Sequence, residues 1–107
     1  MIQIQVTTAD KQEALKTADY LVNEKLAACV QVVGPIVSTY RWQGKVETAD
    51  EWLVLIKTRT ELYTKVEAAV RKMHSYENPE IIALPIDRTA PDYLSWVYQE
   101  TKTEPEP

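Results

Sequence analysis

The stretch from Ala27 to Thr58, AACVQVVGPIVSTYRWQGKVETADEWLVLIKT, constrains the fold more than any other part of the chain. It reads as two extended runs hinged at Gln43-Gly44, with β-branched and aromatic residues dominating both arms. Around the hinge, Ile36, Ser38, Tyr40 and Trp42 alternate with Val37, Thr39 and Arg41, the period of a strand. Gly44 supplies the freedom in φ that a tight reversal needs. A turn there pairs Trp42 with Lys45, Tyr40 with Glu47 and Ser38 with Ala49. Gly34-Pro35 marks a bulge or bend, because Pro35 cannot donate a ladder hydrogen bond. Arms of this length reach about 40 Å at about 3.3 Å per residue. A small domain cannot cover such a hairpin alone, so its far end is expected to be buried by another subunit.

The remaining segments alternate strand and helix. Ile2, Ile4 and Val6 alternate with Gln3, Gln5 and Thr7, which predicts a first strand over 2–7. Asp10 is placed to cap a following helix, with Glu13 in position for the reciprocal capping-box contact. Ala14, Ala18, Leu21 and Val22, with Leu15 at the edge, form that helix's apolar face. Strand character returns from Leu26 to Val33 and leads into the hairpin. Trp52 to Ile56 is apolar enough to lie centrally in a sheet. Thr60 can cap a second helix whose apolar set is Leu62, Tyr63, Val66, Ala69, Val70 and Met73. Asn78-Pro79 forces a break, Ile81–Ile86 is a short strand in which Pro85 marks either an edge position or the strand's end, and Pro91 suits the first turn of a third helix. The order β-α-β-β-α-β, followed by a C-terminal helix, predicts an α+β protein: a ferredoxin-like sandwich with an extended β-hairpin. Residues 1–100 form one domain, and 101–107, TKTEPEP, are expected to be a short flexible acidic and proline-bearing tail.

Composition narrows function. A formal net charge of −4 argues against a grip on nucleic-acid phosphates. No apolar run is long enough to span a bilayer, and MIQIQVTTAD lacks the blocks of a signal peptide, so a cytoplasmic protein with no membrane contact is expected. One cysteine and one histidine exclude an internal disulfide, or a zinc site made of Cys and His from a single chain. Cys29, among Leu26, Ala27, Ala28 and Val30, reads either as a small buried hydrophobe or as a soft metal ligand. His74 reads as a helix C-terminal cap, yet it opens a loop, His74–Glu80, that gathers an imidazole, a phenol and two carboxylates before Pro79. Lys57 closes an apolar strand, where it either snorkels or meets an anion. Asp50 and Glu51 point to opposite faces of a regular strand and make a poor acid–base pair. No triad order or Gly-rich phosphate cradle is present. Tyr40, Trp42 and Trp52 lack interleaved basic residues, so they are expected to serve packing between subunits rather than base stacking.

The segments EKLAACV (24–30), YRWQGKVE (40–47), EWLVLIKT (51–58), HSYENPEIIALPI (74–86) and YLSWV (93–97) together resemble the CutA family of divalent-cation-tolerance proteins. The resemblance runs from Ile4 to Glu100. It implies a non-enzymatic homotrimer of ferredoxin-like protomers, similar in architecture to the nitrogen-signalling PII proteins and linked to tolerance of copper and other divalent cations. The family's association with acetylcholinesterase anchoring in animals is not implied for this short chain. By position, the resemblance assigns Cys29, His74 and Glu77 as metal ligands. Ser75 departs from the usual His-Pro-Tyr-Glu loop, in which proline follows histidine. Copper is the expected ion, since imidazole and thiolate suit it and divalent affinity peaks there. Lys57, Tyr76 and Glu80 mark a ligand cleft, and the alternatives to a copper protein are a PII-like small-molecule sensor or a structural interaction protein.

Overall fold

The computed structural model describes residues 1–103. Strand β1 (Ile2–Thr8) leads into helix α1 (Lys11–Asn23), then the long hairpin β2 (Cys29–Trp42) and β3 (Lys45–Thr58). Helix α2 (Tyr63–Met73), strand β4 (Ile81–Pro85) and helix α3 (Pro91–Glu100) complete the chain. The sheet order is β2-β3-β1-β4, with every neighbouring pair antiparallel. This is the ferredoxin-like α+β sandwich expected from the element order. Pro85 ends β4, an edge strand, where its missing N–H costs no ladder bond.

The core lies on one face of the sheet. Ile2, Ile4 and Val6 of β1 and Val54 and Ile56 of β3 meet Ala14 and Leu21 of α1 and Val66 and Val70 of α2, all buried. The alternate residues of the same strands, Gln3, Gln5, Leu53, Leu55 and Lys57, belong to the opposite face and are only half-buried.

The hairpin has the predicted register, with Trp42 opposite Lys45, Tyr40 opposite Glu47 and Ser38 opposite Ala49. Its two turn residues both take positive φ, 50° at Gln43 and 80° at Gly44, the geometry whose twist matches paired strands. The register shifts between Val33 and Ile36, where Gly34 and Pro35 are joined by a cis peptide. Packing requires glycine at position 34. A Cβ there would stand 2.5 Å from Trp52 Cε3, because the indole lies directly against the glycine backbone. Gly34→Ala is therefore expected to destabilise the protein by about 1–3 kcal/mol through overpacking. Chemical denaturation measures this, and an unchanged midpoint would mean that the indole shifts freely.

Four expectations need correction. The buried stripe of α1 is Ala14, Thr17 and Leu21, while Leu15 and Val22 are exposed. Thr17 tolerates burial because its hydroxyl donates to the Glu13 carbonyl at 2.9 Å. Strand β2 begins at Cys29 rather than Leu26, because α1 ends in a Schellman turn. Lys25 takes φ 59°, Leu26 N–H bonds the Leu21 carbonyl at 2.9 Å, and Lys25 N–H bonds that of Val22 at 3.1 Å. Thr60 opens a 3-10 turn (Thr60–Leu62), and α2 starts without a side-chain cap. Finally, the ordered chain runs past residue 100. Thr101 is buried and accepts from Arg59 Nε at 2.9 Å, and Lys102 N–H bonds the Lys25 carbonyl at 2.9 Å. Residues 104–107 of the expected tail lie outside the described residues.

Candidate functional site

The loop from His74 to Glu80 crosses the end of the sheet, and four elements converge on it. His74 is the C-cap residue of α2, and its side chain is 1% exposed. Its ring does not cap its own helix, as the sequence suggests, but bonds to β1. Nε2 lies 2.6 Å from the Thr7 carbonyl, while Nδ1 is 3.0 Å from the backbone nitrogen of Tyr76. A carbonyl can only accept and an amide N–H can only donate. The two contacts therefore assign the proton to Nε2 and the lone pair to Nδ1.

Glu13 of α1 reaches the same loop. Asp10 Oδ1 accepts from Glu13 N–H at 2.8 Å, as the capping pattern predicts. The Glu13 side chain, however, does not return to Asp10. Its Oε2 accepts from Ser75 N–H at 3.0 Å and its Oε1 from Ser75 Oγ–H at 2.9 Å. Oε2 also lies 3.4 Å from His74 Nδ1. Sequence reasoning missed Glu13 as part of the site because its signal was absorbed by the local capping motif.

The third contributor is Glu51 of β3, 7% exposed, whose Oε2 accepts from the Tyr76 hydroxyl at 2.8 Å. The Tyr76 ring leans on that of His74, with centroids 4.9 Å apart. Burial first, then the hydrogen bond to Glu51 and its negative charge, hold the Tyr76 phenol well above the ordinary tyrosine range. At the other end of the sheet, burial raises the Tyr93 phenol, reinforced by the neighbouring Cys29 thiol. Because the neutral phenol is favoured in the fold, these contributions are intact below the ordinary phenol pKa of about 10 and are lost as pH climbs above it. In a titration followed by tyrosinate absorbance, two of the six tyrosines are expected to ionise last, and Tyr76→Phe should remove one late step. Six phenols titrating together would contradict this.

The other predicted residues are spread out. Glu77 and Glu80 are exposed on the loop. Lys57 hydrogen-bonds Gln31 rather than an acid, and Cys29 is its cross-strand neighbour. Lys57 stands six residues from Glu51 along β3, about 20 Å. One protomer thus brings His74, Tyr76 and Glu77 together on the loop but leaves Cys29 and Lys57 at the far end of the sheet. Tyr40 and Trp42 are exposed on the hairpin, at 43% and 55%. Trp52 is half-buried against Gly34 and the core, with Lys11 Nζ 5.5 Å from its ring centroid.

The donor atoms decide how these residues suit copper. A histidine that binds metal through one nitrogen commonly donates its other N–H to a carbonyl or carboxylate, which fixes the ring. His74 has that arrangement through Thr7, with Nδ1 as the atom left for a ligand. Nδ1 is, however, already covered by the Tyr76 N–H. Among the described residues, no three His, Cys, Asp or Glu side chains gather as a ligand cluster. A closed copper site is therefore not built within one protomer.

The sequence profile of the CutA1 divalent ion tolerance proteins matches residues 2–100. The chain belongs to the CutA1 family. The CutA protein of Mus musculus is 41% identical over 98 residues, which are 92% of this chain and 55% of the mouse protein. The divalent-cation tolerance protein CutA of Thermus thermophilus is 41% identical over 102 residues, 94% of this chain and 99% of that protein. The chain thus spans about half the length of the mouse relative and nearly all of the bacterial one. The crystal structure of CutA from Xylella fastidiosa superposes with a TM-score of 0.92 at 39% identity, covering 94% of this chain and 97% of the other.

Proposed function

We propose that the chain acts in divalent-cation tolerance as a homotrimer that binds copper in a cleft between copies. The observation that carries this reading is the uncovered face of the sheet and hairpin. Val33, Tyr40, Trp42, Ile82 and Leu84 share that face by strand register, and each is more than 40% exposed. Large apolar side chains left open along one sheet face mark an interaction surface. The loop with His74, Tyr76 and Glu77 borders it through the Tyr76–Glu51 contact. In this reading His74 Nδ1 is the primary ligand atom, Glu77 an oxygen donor, and Cys29 a ligand only where a second copy brings it within reach. Groups of that second copy or water complete the coordination. The preference for copper follows from the affinity order of divalent ions for nitrogen, oxygen and sulfur donors. A reduced cytoplasm, in which the Cys29 thiol persists, is part of the same reading.

Light scattering over a concentration series is expected to give three times the 12.3 kDa chain mass. His74→Ala should remain trimeric and lose copper affinity in calorimetric titrations under non-oxidising conditions. Wild-type affinity and stoichiometry in that variant would remove His74 from the site. One observation favours a second reading, that of a small-molecule sensor. Among the described residues, the half-buried Lys57 amine hydrogen-bonds the neutral Gln31 and no acid, which leaves its charge for an anionic ligand. Such a ligand would also draw on the Tyr76 hydroxyl of another copy, with Glu80 beside it left for a donor group on the same ligand. Competition between copper and anionic metabolites on one trimer separates the two.

A further inference from the structure

We propose that Glu13 and Ser75 form a latch that holds the start of the His74–Glu80 loop shut over His74 Nδ1. The inference extends the reading of His74 as a ligand, because it assigns what controls access to that atom. Both Glu13 oxygens are used, one by the Ser75 N–H at 3.0 Å and one by its hydroxyl at 2.9 Å. Hydrogen bonds to a carboxylate are about twice as strong as neutral ones. The next N–H along the chain, that of Tyr76, is the one that occupies Nδ1. Consecutive amides at 75 and 76 therefore move together, and what holds the first holds the second.

The ring itself has an independent anchor. Nε2–H donates to the Thr7 carbonyl of β1, a contact that uses neither Glu13 nor the Ser75–Tyr76 peptide. Beyond the covered atom, the loop is pinned again by the Tyr76 hydroxyl on Glu51 and by buried Pro79. Opening is thus confined to the Ser75–Tyr76 peptide, and it uncovers a lone pair on an imidazole already held in place. Apparent ligand affinity scales with the fraction of molecules in the open form. The strength of the Glu13–Ser75 contact then sets how readily an ion reaches His74.

Hydrogen exchange of the Tyr76 amide in the trimer, with Cu(II) titrations on the same samples, tests the latch. Glu13→Ala keeps the Asp10 cap and removes both acceptors, whereas Ser75→Ala removes only the hydroxyl. Tyr76 exchange should accelerate about tenfold or more in Glu13→Ala, the scale of one charged hydrogen bond, and by less in Ser75→Ala. Cu(II) affinity should rise in parallel in Ser75→Ala, which keeps the Glu13 carboxylate 3.4 Å from Nδ1, and show no rise in Ser75→Ala combined with His74→Ala. Unchanged Tyr76 exchange in a Glu13→Ala protein of wild-type mass overturns the latch. Faster exchange with unaltered Cu(II) affinity leaves the latch standing and overturns instead the assignment of His74 as a copper ligand.

Discussion

Trp42→Ala should weaken self-association by about 2 kcal/mol or more, about 30-fold in the dissociation constant, as expected for an aromatic anchor at an interface. The indole stands beside the turn at Gln43-Gly44 with 55% of its surface open in the protomer. Its exposed neighbour Tyr40 lies two residues nearer the body on the same face. Because the ring contributes little to the protomer core, its loss should appear in the mass distribution at low concentration rather than in protomer folding. Sedimentation across a dilution series measures this. Dissociation identical to wild type would place Trp42 at the periphery of the assembly.

A second large effect is expected at Arg59, through the protomer rather than the assembly. Its side chain is 13% exposed and holds α3 in three ways. Nε donates to Thr101 Oγ1 at 2.9 Å, a terminal nitrogen donates to the Tyr98 carbonyl at 2.6 Å, and the guanidinium stacks 4.5 Å from the Tyr98 ring centroid. Arg59→Ala leaves those acceptors without partners and should cost about 3 kcal/mol in denaturant unfolding. Arg59→Lys should recover only part of this, since an ammonium lacks the planar fork. Tyr93 of the same helix neighbours Cys29, so loosening α3 should also speed modification of the Cys29 thiol. A loss below about 0.5 kcal/mol with unchanged thiol reactivity would show that α3 is held by other contacts.

The hairpin was the most legible element because two independent local signals agree there. Strand alternation sets the faces, Gly44 sets the turn, and together they leave a single register. The central placement of β3 and the edge placement of β4 likewise follow from apolar density and from Pro85. Errors arose where a tertiary partner overrode a local pattern. Glu13 fits a capping box, but two donors on Ser75, 62 residues away, claim its carboxylate. Lys25 occupies a left-handed position where glycine is the usual signal, so the end of α1 and the late start of β2 were hidden. Thr101 looked like tail because its burial depends on Arg59, 42 residues earlier. Within the site, residue types were readable and distances were not. The loop 74–77 is one local cluster, whereas Cys29 and Lys57 are separated from it by the length of a strand.

The most direct test of the central claim is a crystal structure of the protein soaked with copper, with anomalous scattering and metal-to-chain stoichiometry both recorded. The account predicts three equivalent anomalous peaks per trimer, each in a cleft between two copies and next to His74 Nδ1, with the Tyr76 amide displaced from the ring. A trimer whose loops remain closed, with no copper near His74 and metal only at scattered surface positions, would contradict it.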